Sequence, residues 1–178
     1  LQRSYMEKCF RLMYYDFSGK AGFFSYVIMD LEILAIRRAL MYLNLNEPQE
    51  IIAHIPAYLQ GHIPFDVLEL SRIRDFQDLL QLLSHTPYHD VLLPYSAPNG
   101  EISLNACDLA LNTYFYRQLL DMAQKEYHGK TRENLREIIL SEVDITNLNM
   151  IYRMKNAVNL PEKTLDQIEV AQIPIRLQ

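Results

Sequence analysis

SLNACDLALNTYFYRQLLDMAQKEY, residues 103–127, is the stretch that decides the fold class. Leu104, Leu111, Phe115, Leu119 and Met122 recur at helical spacing, with polar residues between them, so the stretch predicts one long amphipathic helix. Gly129 follows as a glycine that would close it, and Thr131 reopens a helix predicted to run to about Val158. Nothing in these 50-odd positions alternates apolar and polar residues with a strand's period of two.

The same reading extends upstream. Met6, Cys9, Phe10, Met13 and Phe17 mark an amphipathic segment over 1–20, interrupted near Gly19 and Gly22. Ile28, Leu31, Leu34, Ile36, Leu40 and Leu43 mark a helix over 25–43, with Arg37 and Arg38 interposed. A short helix is predicted to start at Pro48 with Asn46 as its cap, and Pro56, Gly61 and Pro64 make 54–64 a connection. Short helices are predicted near 65–72 and 75–84, the second striped by Phe76, Leu79, Leu80 and Leu83. At Thr86-Pro87 the threonine is expected to cap and the proline to take the first helical position of a helix reaching about Leu93. Pro94, Ser96, Pro98, Asn99 and Gly100 read as a loop, and Pro161-Glu162 starts a last short helix. The fold class is all-α. With 5 Gly in 178 residues, a turn-rich β-sandwich is disfavoured.

A unit recurs along the chain. At an offset of 115 positions (153 − 38), Arg38 falls on Arg153, and Leu43-Asn44-Leu45-Asn46-Glu47 falls on Val158-Asn159-Leu160-Pro161-Glu162. Ile33 falls on Leu148 and Ile36 on Ile151, and after a slip of three residues Ile55-Pro56 falls on Ile173-Pro174. The expected architecture is therefore a helical bundle of repeated units, 1–98 and 99–178. Because the sequence starts at Leu1 and stops just after the second Ile-Pro, it is read as a fragment of a longer chain with its second unit truncated.

Charge narrows the function. The net −5 is uneven: residues 1–40 carry 6 basic and 4 acidic side chains, 41–123 carry 3 and 10, and 124–178 carry 8 of each. No basic block exists, so nucleic acid is a poor partner. Apolar stretches such as 21–29 fall far short of the roughly 18 residues needed to span a bilayer. Cys9 and Cys107 lie far apart, without a neighbouring metal-ligand pattern, as reduced thiols would. There is no Gly-x-x-x-x-Gly-Lys-Ser/Thr and no Gly-x-Gly-x-x-Gly to cradle phosphate. His85 and His89, with Asp90, have the four-residue spacing of a helical metal site, but Pro87 should start the helix and leave His85 outside it. Asp66/Glu69 and Asp75/Asp78 are paired carboxylates with no sign of the dry cleft that acid–base work requires, so a solvated face is expected. Tyr114, Phe115 and Tyr116 are consecutive and spread around their helix, so at least one should be exposed.

Glu142-Val143-Asp144-Ile145-Thr146-Asn147-Leu148, then Arg153-Met154-Lys155, resembles the signature of the C/d family of vacuolar/archaeal-type (V/A-type) rotary ATPase subunits. Asn159-Leu160-Pro161-Glu162 resembles the turn after it, Thr86-Pro87-Tyr88 the family's Thr-x-Tyr segment, and Asp108-Leu109-Ala110-Leu111 with Tyr114-Phe115-Tyr116 its aromatic long helix. The likeness covers about 24–178. The first copy departs from the pattern, with Glu32 where Asn147 stands and Leu40 where Lys155 stands. The resemblance implies a non-catalytic, cofactor-free and metal-free piece of the central stalk. Such a piece links the membrane rotor ring to the central axle, on the cytoplasmic face of the complex. Its motif residues here are Thr86, Tyr88, Tyr114, Tyr116, Asp144, Asn147, Arg153 and Lys155, expected to be structural or interfacial. Asp144, Asn147 and Arg153, and likewise Glu32 and Arg38, are expected to tie their helices to neighbours. The repeat alone fits equally well a helical-repeat interaction scaffold unrelated to ATPases. A small metal-dependent helical enzyme built on His85, His89 and Asp90 is the third reading.

Overall fold

The computed structural model describes residues 25–45, 63–96 and 103–157, the side chains of 44–45 and 153–157 excepted. Among these residues there are six α-helices, one 3-10 turn and no strand. The all-α expectation holds. The segments at 1–24, 46–62, 97–102 and 158–178 lie outside the described residues. With them go Cys9, the predicted Pro48 and Pro161 helices, and the second copy of the repeated turn, while Leu43, Asn44 and Leu45 of the first copy are the last residues of a helix. The chain divides into two compact units, Leu1–Leu111 and Asn112–Gln178.

In the first unit α1 (Tyr26–Leu45) carries the widest apolar face. Leu31, Ile33, Ile36, Ala39 and Leu40 are buried, and Ile36 and Ala39 lose all their exposure. Ile28, Leu34 and Leu43 are only half-buried, at the margin of that face. Three short helices follow, α2 (Val67–Leu70), α3 (Phe76–Leu82) and α4 (Pro87–Leu92). Helices α2 and α3 pack on α1 and on each other, and α4 packs on α3. The predicted stripe Phe76, Leu79, Leu80 and Leu83 is buried throughout.

Short helices need their ends satisfied, because too few hydrogen bonds offset the cost of nucleation. The acidic pairs supply this. Asp66 accepts from Leu68 N at 2.8 Å to cap α2. Asp75 accepts from Asp78 N at 2.8 Å to cap α3, while Asp78 Oδ2 accepts from Arg74 N at 2.9 Å. The two carboxylates thus bond backbone N–H groups on both sides of the helix start, differing from a capping box in that Asp78 reaches the residue before the cap. Asp66 and Asp75, expected on a solvated face, are exposed and also cap their helices, while Glu69 pairs with Arg72 at 2.5 Å.

Two expectations about turns are corrected. Pro94 lies inside a 3-10 turn, Leu93–Tyr95, that continues directly from α4. Proline is tolerated in a first turn because its missing N–H would have no partner there. Gly129 opens α6 (Gly129–Ala157) rather than closing α5 (Leu104–Glu126), so the helix restarts two residues before Thr131. Its φ of +54° explains the glycine, since a side chain at that position would meet nothing within 4 Å.

In the second unit, Tyr116, Leu119 and Ala123 of α5 and Ile139, Val143 and Met150 of α6 are buried. Where the repeat can be compared, the paired positions differ: Ile33 is buried while Leu148 is 65% exposed.

Candidate functional site

The sequence motifs sit at two polar joints, one in each unit. The first is built by α4 against α1. Thr86 takes the N-cap position of α4 with extended backbone, yet its side chain does not cap. Its hydroxyl instead donates to the carbonyl of Leu83 at 2.8 Å, tying the end of α3 to the start of α4. Thr86 is buried, and a buried hydroxyl without a partner would be costly, so the bond back to Leu83 secures it. Tyr88, only 1% exposed, passes its hydroxyl to Glu32 Oε2 at 2.5 Å, joining positions 56 residues apart. Burial pushes the Glu32 carboxyl above the usual carboxylate range, and the Tyr88 hydrogen bond pulls part of that back. Glu32 therefore ties its helix to a neighbour, as expected. The family-motif tyrosine is its partner.

Beside it, Arg37 Nε lies 2.6 Å from Asp108 Oδ1, both about 30% exposed. The N–H is not aimed at that oxygen, so the contact is an ion pair rather than an aligned hydrogen bond. Arg38, the arginine of the repeated unit, keeps a buried Nη1 that has no hydrogen-bond partner among the described residues. The helix-to-helix charge contact thus belongs to Arg37, one position earlier. Opposite charges on two predicted helices are the available signal, but helical spacing alone cannot decide which of two adjacent arginines turns toward α5.

Cys107 sits fully buried beside Asp108. Burial first, and the neighbouring carboxylate second, push its thiol up to about 11.

The second joint is built by α5 against α6. Tyr116 Oη and Thr146 Oγ1 share a hydrogen bond at 2.9 Å, and Phe115 meets the Tyr116 ring edge-on at 5.3 Å. Of the aromatic triplet none is exposed: Tyr116 is buried, and Tyr114 and Phe115 are half-buried. The exposure expected of at least one of them from spacing is therefore not found. Thr146 lies inside the quoted Glu142–Leu148 motif, yet nothing in the motif's spacing marks it as the residue that makes the joint. Of its neighbours in the motif, Asp144 is exposed and Asn147 is half-buried. Arg153 and Lys155 lie on the last turns of α6, their side chains outside the described residues.

His85 is exposed, and His89 Nδ1 turns to the adjacent Asp90 Oδ1 at 3.0 Å. No group of three His, Cys, Asp or Glu side chains among the described residues could hold a metal ion. No described helix is long and apolar enough to cross a membrane. Both joints fasten helices to one another, and what this arrangement does chemically is hold a shape.

The model of the family described as ATP synthase (C/AC39) subunit aligns with residues 2–172. No curated protein and no solved structure matches the chain.

Proposed function

The chain belongs to the ATP synthase (C/AC39) subunit family of V/A-type ATPases, and from that membership we propose that it is a non-catalytic central-stalk piece. In this reading it links the membrane rotor ring to the central axle and carries torque between ATP chemistry and ion movement. It works at the cytoplasmic face of the complex without a cofactor or metal of its own.

The observation that carries the reading is the family match along nearly the whole chain. The physical character of the helices supports it. A torque-bearing body must not deform under load, and close-packed interiors resist deformation. Here the short helices are capped by side chains at both acidic pairs, and polar joints pin α4 to α1 and α5 to α6. The sequence offers no phosphate-cradling loop, so ATP chemistry is assigned to other subunits.

The test is retention of purified axle and ring subunits on the immobilised chain, with its helical content verified by far-UV circular dichroism. Retention of both supports the rotor joint. Retention of neither by a folded, helical chain overturns it and leaves the unrelated helical scaffold.

A further inference from the structure

Helix α6 has two apolar sides. One is used: Ile139, Val143 and Met150 are buried. The other is not covered by any described residue. Ile138, Ile145, Leu148 and Tyr152 leave 60%, 52%, 65% and 67% of their surface in solvent.

Single exposed apolar residues are ordinary, but a line of them is not. These four follow one another at intervals of seven, three and four. They are the a and d positions of two heptads, with a at 138, 145 and 152, d at 148, and Ser141 at the remaining d. At about 100° per residue, the exposed line lies roughly opposite the buried one and runs for about 21 Å. This is the seam that a second helix covers.

The flanks say which kind of helix. Glu137 and Asp144 stand on one side of the seam and Glu142 on the other, all exposed. No residue from 137 to 152 is Lys or Arg. A second copy of this helix would set carboxylates against carboxylates in either direction, which the flanking positions of a coiled coil penalise. An anionic membrane surface would be repelled for the same reason.

We propose that the outer face of α6 docks a helix of another protein, apolar along its own a and d positions and rich in Lys or Arg beside them. The inference rests on the assembly reading for the presence of a protein partner, and adds to it the partner's chemistry and the face it occupies.

The chain contains no Trp, so a synthetic peptide carrying one reports its own binding by fluorescence. The probes are a three-heptad peptide with Leu at a and d and Lys at e and g, and a twin with Glu at e and g. The basic peptide is expected to bind the whole chain, more weakly as salt rises, and the acidic twin is not. The double variant Ile145→Ser, Leu148→Ser changes only exposed positions. It should keep the parent's circular dichroism and weaken the basic peptide by about tenfold or more.

Equal binding of both peptides, no binding of the basic one, or binding unchanged in the double variant overturns the inference. So does sedimentation showing a dimer that the double variant abolishes, since a second copy then covers the face. A Leu148→Cys variant that resists maleimide until the chain is unfolded overturns it too, because the chain then covers its own seam. Retained axle and ring subunits with a failed peptide test would sink this inference alone. Peptide binding without retention of those subunits would sink the assembly reading alone.

Discussion

Replacing Tyr88 by Phe isolates the hydroxyl that joins α4 to α1. The ring is 1% exposed and Phe fills the same space, so packing is nearly unchanged. What is lost is a hydrogen bond to a carboxylate that burial has already pushed up. Bonds to charged groups contribute about 1.5–3 kcal/mol. Glu32 is only half-buried and water can replace part of the loss, so the expected cost at pH 7 is about 1–2 kcal/mol. For a chain of this size that lowers the melting temperature by roughly 2–8 °C.

The sign with pH is the stronger test. The Tyr88 bond lowers the Glu32 pKa, so the variant's carboxyl lies higher still. A carboxyl raised on folding contributes stability that is complete below its unfolded value and is lost as pH rises through its folded value. That loss is larger in the variant. The cost of Tyr88→Phe should therefore be small, about 0.5–1 kcal/mol, near pH 4, where Glu32 is protonated and the bond is neutral. It should grow as pH rises above the ordinary value of 4.5. Glu32→Gln keeps an acceptor but cannot ionise, so in that background the cost of Tyr88→Phe should not vary with pH. Urea unfolding followed by circular dichroism from pH 4 to 8 measures all four chains. A Tyr88→Phe cost that is the same at both ends, or that keeps its slope beside Glu32→Gln, refutes the reasoning.

Ile36, with no exposed surface, should cost about 2–5 kcal/mol when cut to Ala, read in the same urea titration. Asp75→Ala should cost about 1 kcal/mol through the lost cap of α3, and Asp75→Asn much less, because asparagine caps equally well. Gly129→Ala should cost about 1 kcal/mol from backbone conformation alone, since its φ is positive and the added methyl meets nothing. With its thiol held up to about 11, Cys107 is only about one part in a thousand thiolate at pH 8. Peptide mass mapping after iodoacetamide should find it alkylated only once urea unfolds the chain, and equal labelling with and without urea would contradict the burial.

The helices are legible in the sequence because their ends are written in residue types with strong local preferences. Pro87 fixes the start of α4, and the Phe76–Leu83 stripe fixes the buried side of α3. What is not legible depends on where a side chain turns once helices meet. Thr86 stands where a cap belongs, yet its hydroxyl bonds backward to Leu83. Asp66 and Asp75 look like one solvated pattern because spacing shows that two carboxylates share a face but not that one of them reaches a backbone N–H. Tyr116 finds Thr146 from 30 positions away, and no local rule could choose that threonine over Asp144 or Asn147. Periodicity shows that a face of α6 is apolar but carries no information on whether anything covers it.

The short junction at Gly129 also sets an order of events. The Tyr116–Thr146 bond spans 30 residues and is nearly centred on that glycine, so α5 and α6 can fold back on each other as soon as both exist. The first unit must wait longer. Tyr88 reaches Glu32 across 56 residues, and Asp108 reaches Arg37 across 108 − 37 = 71. Closing longer loops costs more entropy, and contacts distant in sequence form more slowly. Refolding from urea should therefore show the hairpin of the second unit protected from hydrogen exchange before α1 is. During synthesis the apolar face of α1 stays uncovered until the helices meant to pack on it have been made.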